Sequence, residues 1–264
     1  MNVGTAARLE RIGTDGRFLT VPMDHGVSSG AIRGLRDVES TVAAVTRGGA
    51  DAVLTQKGLA PRVHPHKGDA GYIVHLNGST NAGPDSTDKR PTGSVEGALR
   101  AGADAVSFHI NVGSVHEPEQ IEALGALTER ADRYGLPVLA MAYARGPGVD
   151  EADPEALGRA VRLAEELGAD VIKTGYSGDP ESFRHVVGST AKPVLIAGGA
   201  PADDRGALEA VRGAMDAGAR GVSFGRTVFQ HEDPEAMTRA ISTIVHDDGT
   251  VEAALERAGL AVSP

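Results

Sequence analysis

Lys173 lies in LGADVIKTGY (167–176), where Val171-Ile172-Lys173 belongs to the kind of continuous apolar run shown by parallel strands buried on both faces. A buried ammonium is costly. Such a lysine therefore carries its charge out along its stem, pairs with a carboxylate, or stays buried as the amine. The amine is the nucleophile that condenses with a ketone to form a Schiff base. The chain keeps only five lysines (Lys57, Lys67, Lys89, Lys173 and Lys192) beside 21 arginines, so charge alone does not explain a lysine in a strand.

Imine chemistry on a sugar also needs a proton donor and a proton acceptor. Tyr143, at the end of PVLAMAY (137–143), and Asp24, after Val21-Pro22-Met23, can supply both. Plainer roles suit the same residues: a rim tyrosine bonded to a loop, and a turn or N-cap aspartate. His25 reads as a neighbour of the site rather than as its base. Gly198-Gly199 and Gly225-Arg226 allow close backbone approach to a phosphate, and Arg226 adds a fork of donors; a simple turn is the alternative for the glycine pair. His64, His66, His75, His109 and Asp24 are the candidate metal ligands. His64-Pro65-His66 has neither helical nor strand spacing, so surface histidines are expected and no metal or cofactor is.

These residues need elements to hold them, and a short unit recurs along the chain in which a helix ends at Gly and an apolar strand follows. GGADAVLTQ (48–56), AGADAVSFHI (101–110), LGADVIKTGY (167–176) and AGARGVSFGR (217–226) are four copies. YGLPVLAMAY (134–143) and TAKPVLIAGG (190–199) carry Pro before the strand, and RFLTVPMDHG (17–26) and GYIVHLNG (71–78) complete a set of eight. Helical periodicity falls between them at Leu35–Arg47, Val95–Arg100, Glu117–Arg133, Pro154–Leu167, Pro180–Val187, Asp203–Ala217 and Pro234–Val245, while 57–71 reads as a loop. Eight such units predict an α/β fold with a single eight-stranded parallel (β/α)8 TIM barrel as one domain over 1–264, its core at about 15–247 and an outer helix near 250–258. A doubly wound open sheet is the alternative, but PMDHGVSSG after the first strand is not GxGxxG. A barrel puts chemistry at the C-terminal ends of its strands. Asp24-His25-Gly26, Gln56-Lys57, His75 to Gly78, His109 to Asn111, Tyr143 to Arg145, Lys173 to Tyr176, Gly198-Gly199 and Gly225-Arg226 all stand there.

The 264 residues carry a net charge of -10, which argues against nucleic acid as a partner. The absence of cysteine excludes disulfides and thiol chemistry. No apolar run is long enough for a membrane span and MNVGTAARLERIG lacks a signal-peptide core, so a cytoplasmic location is expected. Carboxylates clustered in HEDPE and DEADPE, with arginine preferred to lysine, fit either a salt-adapted surface or a GC-rich coding bias.

In combination, MDHGVSSG (23–30), ALRAGADAVSFHINVGS (98–114), PVLAMAYARG (137–146), ELGADVIKTGYSGD (166–179), PVLIAGG (193–199) and GVSFGRTVFQ (221–230) resemble the archaeal-type class I aldolase family over about residues 15 to 247. The resemblance implies a transaldol reaction, a step toward 3-dehydroquinate and the aromatic amino acids. In it 6-deoxy-5-ketofructose 1-phosphate forms an imine and is cleaved, and the retained enamine attacks L-aspartate semialdehyde. It implies Lys173 as the Schiff-base lysine, Tyr143 as proton donor and Asp24 as proton acceptor. Contacts to substrate would come from Asp24, His25, Gly26, Val27, Ser28, Tyr143, Ala144, Arg145, Lys173, Gly198, Gly199, Gly225 and Arg226, in a ring-like, decamer-type homo-oligomer. Met141 and Ala144 stand where the family's fructose-bisphosphate aldolases carry Trp and Pro. A class I fructose-1,6-bisphosphate aldolase and a non-catalytic sugar-phosphate-binding barrel are the alternatives. Lys57, His75, Asn77, His109 and Asn111 are the candidates for recognising the semialdehyde.

Overall fold

The computed structural model describes residues 2–199 and 203–260. Among these, eight parallel strands close into a barrel in chain order: β1 (Phe18–Pro22), β2 (Ala52–Gln56), β3 (Gly71–His75), β4 (Ala105–Val112), β5 (Val138–Ala144), β6 (Val171–Thr174), β7 (Val194–Ala197) and β8 (Gly221–Ser223). All eight expected strands are present.

The recurring Gly-Ala-Asp unit has a structural use that becomes visible only in three dimensions. Asp51, Asp104 and Asp170 each precede a strand, and each carboxylate accepts the backbone N–H of the preceding strand, at Leu19 (2.6 Å), Tyr72 (2.9 Å) and Val138 (3.0 Å). The partners are 32 residues apart in every case. One carboxylate thus fixes the start of β2 on β1, of β4 on β3 and of β6 on β5, satisfying a backbone donor at the floor of the barrel.

Residues pointing outward from the strands pack under the helices. Those pointing inward are apolar at the floor, where Phe18, Ala52, Leu54, Ile73, Ala105, Leu139, Val171 and Leu195 form one buried cluster. The upper layer is polar: Gln56, His75, Ser107, His109, Tyr143, Lys173 and Ser223 continue the same inward rows by two-residue alternation.

The helices are α2 (Val38–Arg47), α3 (Val95–Arg100), α4 (Glu117–Asp132), α5 (Pro154–Glu166), α6 (Pro180–Gly188), α7 (Asp204–Asp216), α8 (Pro234–Val245) and α9 (Val251–Ala258). They follow the sequence pattern with trimmed ends. The first starts at Val38 rather than Leu35 because the Asp37 carboxylate caps it, accepting from the Ser40 N–H. One-turn helices at Gly26–Ser29 and Arg226–Phe229 were not expected, and two larger features also depart from expectation. The segment after β2, read as a loop, forms a 3-10 turn at Lys57–Leu59 and a one-turn helix at Ala60–Val63. An N-terminal helix α1 (Val3–Ile12) closes the barrel floor: Ile12 joins the interior cluster, and a Cβ on Gly71 would overlap the Arg11 carbonyl. Among the described residues no helix is long and apolar enough to cross a membrane.

Candidate active site

The polar layer opens into a cavity of about 330 Å³ at the C-terminal ends of the strands. Lys173 lies on β6 and is 6% exposed. Its register partner on β5 is Met141, so Tyr143, two residues on and on the same face, stands one layer above it. Asp24 follows β1 and completes the group that lines the cavity.

Asp24 is flanked by imidazoles, with Oδ1 3.7 Å from His25 Nδ1 and Oδ2 3.8 Å from His75 Nε2. Burial works against its charge, yet His75, His25, Lys173 and a backbone hydrogen bond together hold its carboxyl below the usual carboxylate range. The carboxylate is therefore ionised at neutral pH. Burial lowers His75 below its ordinary value, aided by Lys173, Lys89 and His25 and opposed by Asp24. Its Nδ1 lies 2.7 Å from Ser107 Oγ. A Ser-His-Asp order appears in this contact, but Ser107 is fully buried beside His75, its register partner, and does not line the cavity, so it is not placed as a nucleophile.

His109 is held well below its ordinary value by burial and then by the charge of Lys89. The Asn111 side-chain nitrogen donates to Thr87 O (3.0 Å), leaving Asn111 Oδ1 to accept from His109 Nε2 (2.8 Å). That assignment makes His109 a neutral Nε2–H imidazole. Its ring lies 5.0 Å from the Tyr143 ring, which also carries the Arg145 guanidinium at 5.1 Å. Arg145 is committed on its other edge, making a two-pronged ion pair with Glu151 at 2.8 and 2.9 Å.

Of the substrate contacts expected from the sequence, Asp24, His25, Val27, Ser28, Tyr143, Arg145, Lys173, Gly198, Gly199, Gly225 and Arg226 line this one cavity. Gly26 and Ala144 do not; Ala144 is 2% exposed and packs into the outer core. Arg226 donates to Gly199 O at 3.3 Å, joining the two glycine-bearing turns.

On the opposite side, His75, Asn77 and His109 line the cavity, whereas Lys57 and Asn111 do not. Lys57 turns away and donates to Thr92 O, and Asn111 is consumed by His109 and Thr87. The Asn77 amide instead bonds both backbone groups of His109, at 2.8 and 2.9 Å, extending the β3–β4 pairing. The lysine that does face the cavity on this side is Lys89. It lies next to the short antiparallel ribbon of Asn77–Gly78 with Arg90–Pro91. The scarcity of lysine, which drew attention to Lys173, is the one signal that could have drawn it to Lys89. Among the described residues no group of three or more His, Cys, Asp or Glu is placed to hold a metal ion.

Comparison with known proteins agrees with this geometry. The chain is 70% identical over 261 residues, 99% of its length and 98% of the relative's, to a 2-amino-3,7-dideoxy-D-threo-hept-6-ulosonate synthase of Halobacterium salinarum. It is 34% identical to a class 1 fructose-bisphosphate aldolase of the same species, covering 93% of this chain and 97% of that one. A solved structure of a Schiff-base-forming fructose-1,6-bisphosphate aldolase superposes with a TM-score of 0.86 at 31% identity, covering 92% of this chain and all of the other. The model of the DeoC/LacD family aldolases matches residues 18–231, which hold all eight strands of the barrel and every residue lining the cavity, and the chain belongs to that family.

Proposed function

We propose that the chain is a lysine-dependent aldol transferase that makes 2-amino-3,7-dideoxy-D-threo-hept-6-ulosonate from 6-deoxy-5-ketofructose 1-phosphate and L-aspartate semialdehyde. The observation that carries this reading is the convergence of Lys173, Tyr143 and Asp24 in one cavity, in a chain 70% identical along nearly its whole length to a synthase of that product. The Lys173 amine adds to the C5 ketone, and the Tyr143 phenol donates the proton with which the carbinolamine loses water. Asp24, held ionised despite its burial, takes the C3 hydroxyl proton as the C3–C4 bond breaks. The bond's electron pair passes into the imine to give an enamine, and hydroxypyruvaldehyde phosphate departs. The enamine carbon then attacks the semialdehyde carbonyl, the new alkoxide regains a proton, and water frees the lysine.

The charges of the cavity suit such substrates. Lys173, Lys89 and Arg226 line it without an ion-pair partner among the described residues, against the single carboxylate of Asp24. Gly198, Gly199, Gly225 and Arg226 are the backbone-rich side against which the sugar packs. The ring-type homo-oligomer implied by the resemblance belongs to the same proposal, and light scattering reads it. The deciding assay offers purified protein the two substrate sets in parallel. Condensation should proceed with kcat/KM at least tenfold above that for fructose 1,6-bisphosphate cleavage. The reverse order, without condensation product, would make the protein the glycolytic aldolase instead.

A further inference from the structure

Lys89 has no place in the chemistry just described. Its ammonium faces the cavity, donates to Ser79 Oγ at 2.7 Å and, among the described residues, pairs with no carboxylate. Arg145, the neighbouring cation on this side, is already neutralised by Glu151, so Lys89 is the uncompensated positive charge there. Burial and the nearby Arg145 disfavour its ammonium form, partly offset by Asp24 and Asp85, so a bound anion would relieve a standing electrostatic cost.

Its position is defined through Tyr143. Tyr143 packs on His109, whose backbone is bracketed by Asn77, and Asn77 opens the ribbon beside Lys89. Arg226 stands across the barrel mouth on the β8 side. The bond at which Tyr143 and Asp24 move protons thus has the Lys89 side open beyond it. In an exchange reaction the departing and the incoming aldehyde occupy the same place beside the enamine carbon. Their charged ends also match in reach, since phosphate and carboxylate both follow a short carbon chain beyond the aldehyde.

We propose that Lys89 is the anion pole for the half of the substrate exchanged at Lys173, holding the phosphate of the departing aldehyde and then the carboxylate of the incoming one. This rests on the transferase reading for the identity of the two anions, but not for the existence of the pole. Arg226 and its glycine turns then face the half that stays on the enzyme.

The test uses the intact protein with hydroxyacetone as a phosphate-free donor, so that only the acceptor carries charge. KM is measured for L-aspartate semialdehyde and for uncharged D-glyceraldehyde in the native protein, Lys89→Met and Lys89→Arg. The ratio of the two KM values should shift at least tenfold against the semialdehyde in Lys89→Met and stay within about threefold of native in Lys89→Arg. An unshifted ratio in Lys89→Met, or equal loss of both acceptors, would overturn the assignment. If the native protein makes no bond to the semialdehyde, the transferase reading fails by itself. D-glyceraldehyde 3-phosphate then serves as the charged acceptor, and the same ratio judges Lys89.

Discussion

Single residues here are set by what surrounds them more than by their own type. Asp24 stays ionised because His75, His25, Lys173 and a backbone hydrogen bond together outweigh its burial, while at His25, His75 and His109 burial dominates and lowers each below its ordinary value. Replacing Asp24 by Asn or Tyr143 by Phe should lower kcat by about 10²–10⁴-fold, as loss of a positioned proton carrier does. Circular dichroism should show the fold retained, and a loss of under tenfold in both variants would remove them from the proton path. The three imidazoles also fix how stability depends on pH. Each has a folded pKa below 6.5, so the unfolded chain binds protons that the folded one refuses, and stability is full above about pH 6.5 and falls as pH drops below it. Melting temperatures at pH 7.5 and 5.5 should therefore differ, with the lower value at 5.5; equal values would contradict buried neutral imidazoles. Lys173, Tyr143 and Asp24 were legible in the sequence because each ends or interrupts an apolar run. Lys89 and the Arg145–Glu151 pair were not, because loops of no fixed period bring them to the cavity.

At the scale of elements, the repeated Gly-Ala-Asp segments show which part of a motif a sequence can disclose. Strand positions follow from the apolar run, but the role of the aspartate depends on a neighbour 32 residues away. The copy before β8 carries Arg220 in the same place and lacks the carboxylate. Asp104 also pairs with Arg11 and so ties α1 to the barrel floor. Asp104→Ala leaves the Tyr72 N–H unsatisfied and should cost about 1–3 kcal/mol in urea unfolding. A change below about 0.5 kcal/mol would show that water replaces the carboxylate without loss. Helix α1 itself was not foreseen, because it stands before the first of the repeated strand–helix units and only Leu9 and Ile12 of its residues meet the interior cluster.

At the scale of the whole molecule, the eightfold spacing of apolar runs determined the barrel, and the barrel determined where to look for chemistry. The surface raises a separate question of charge. Exposed pairs such as Arg47–Glu235, Arg62–Glu39 and Arg162–Glu166 contribute little individually and weaken in salt. The excess of ten negative charges acts over the entire surface, and shortening the screening length from about 10 Å at 0.1 M to about 3 Å at 1 M salt relieves it. Repulsion should win, so the melting temperature should rise from 0.1 to 2 M KCl, and equal values would favour coding bias as the origin of the composition. The central claim is a covalent bond between Lys173 and a ketose. Borohydride added to the protein with 6-deoxy-5-ketofructose 1-phosphate should fix a reduced adduct whose mass maps to the peptide holding Lys173, in the presence of EDTA as in its absence. Labelling at another residue, or turnover lost to the chelator and restored by a divalent metal, would contradict the imine mechanism.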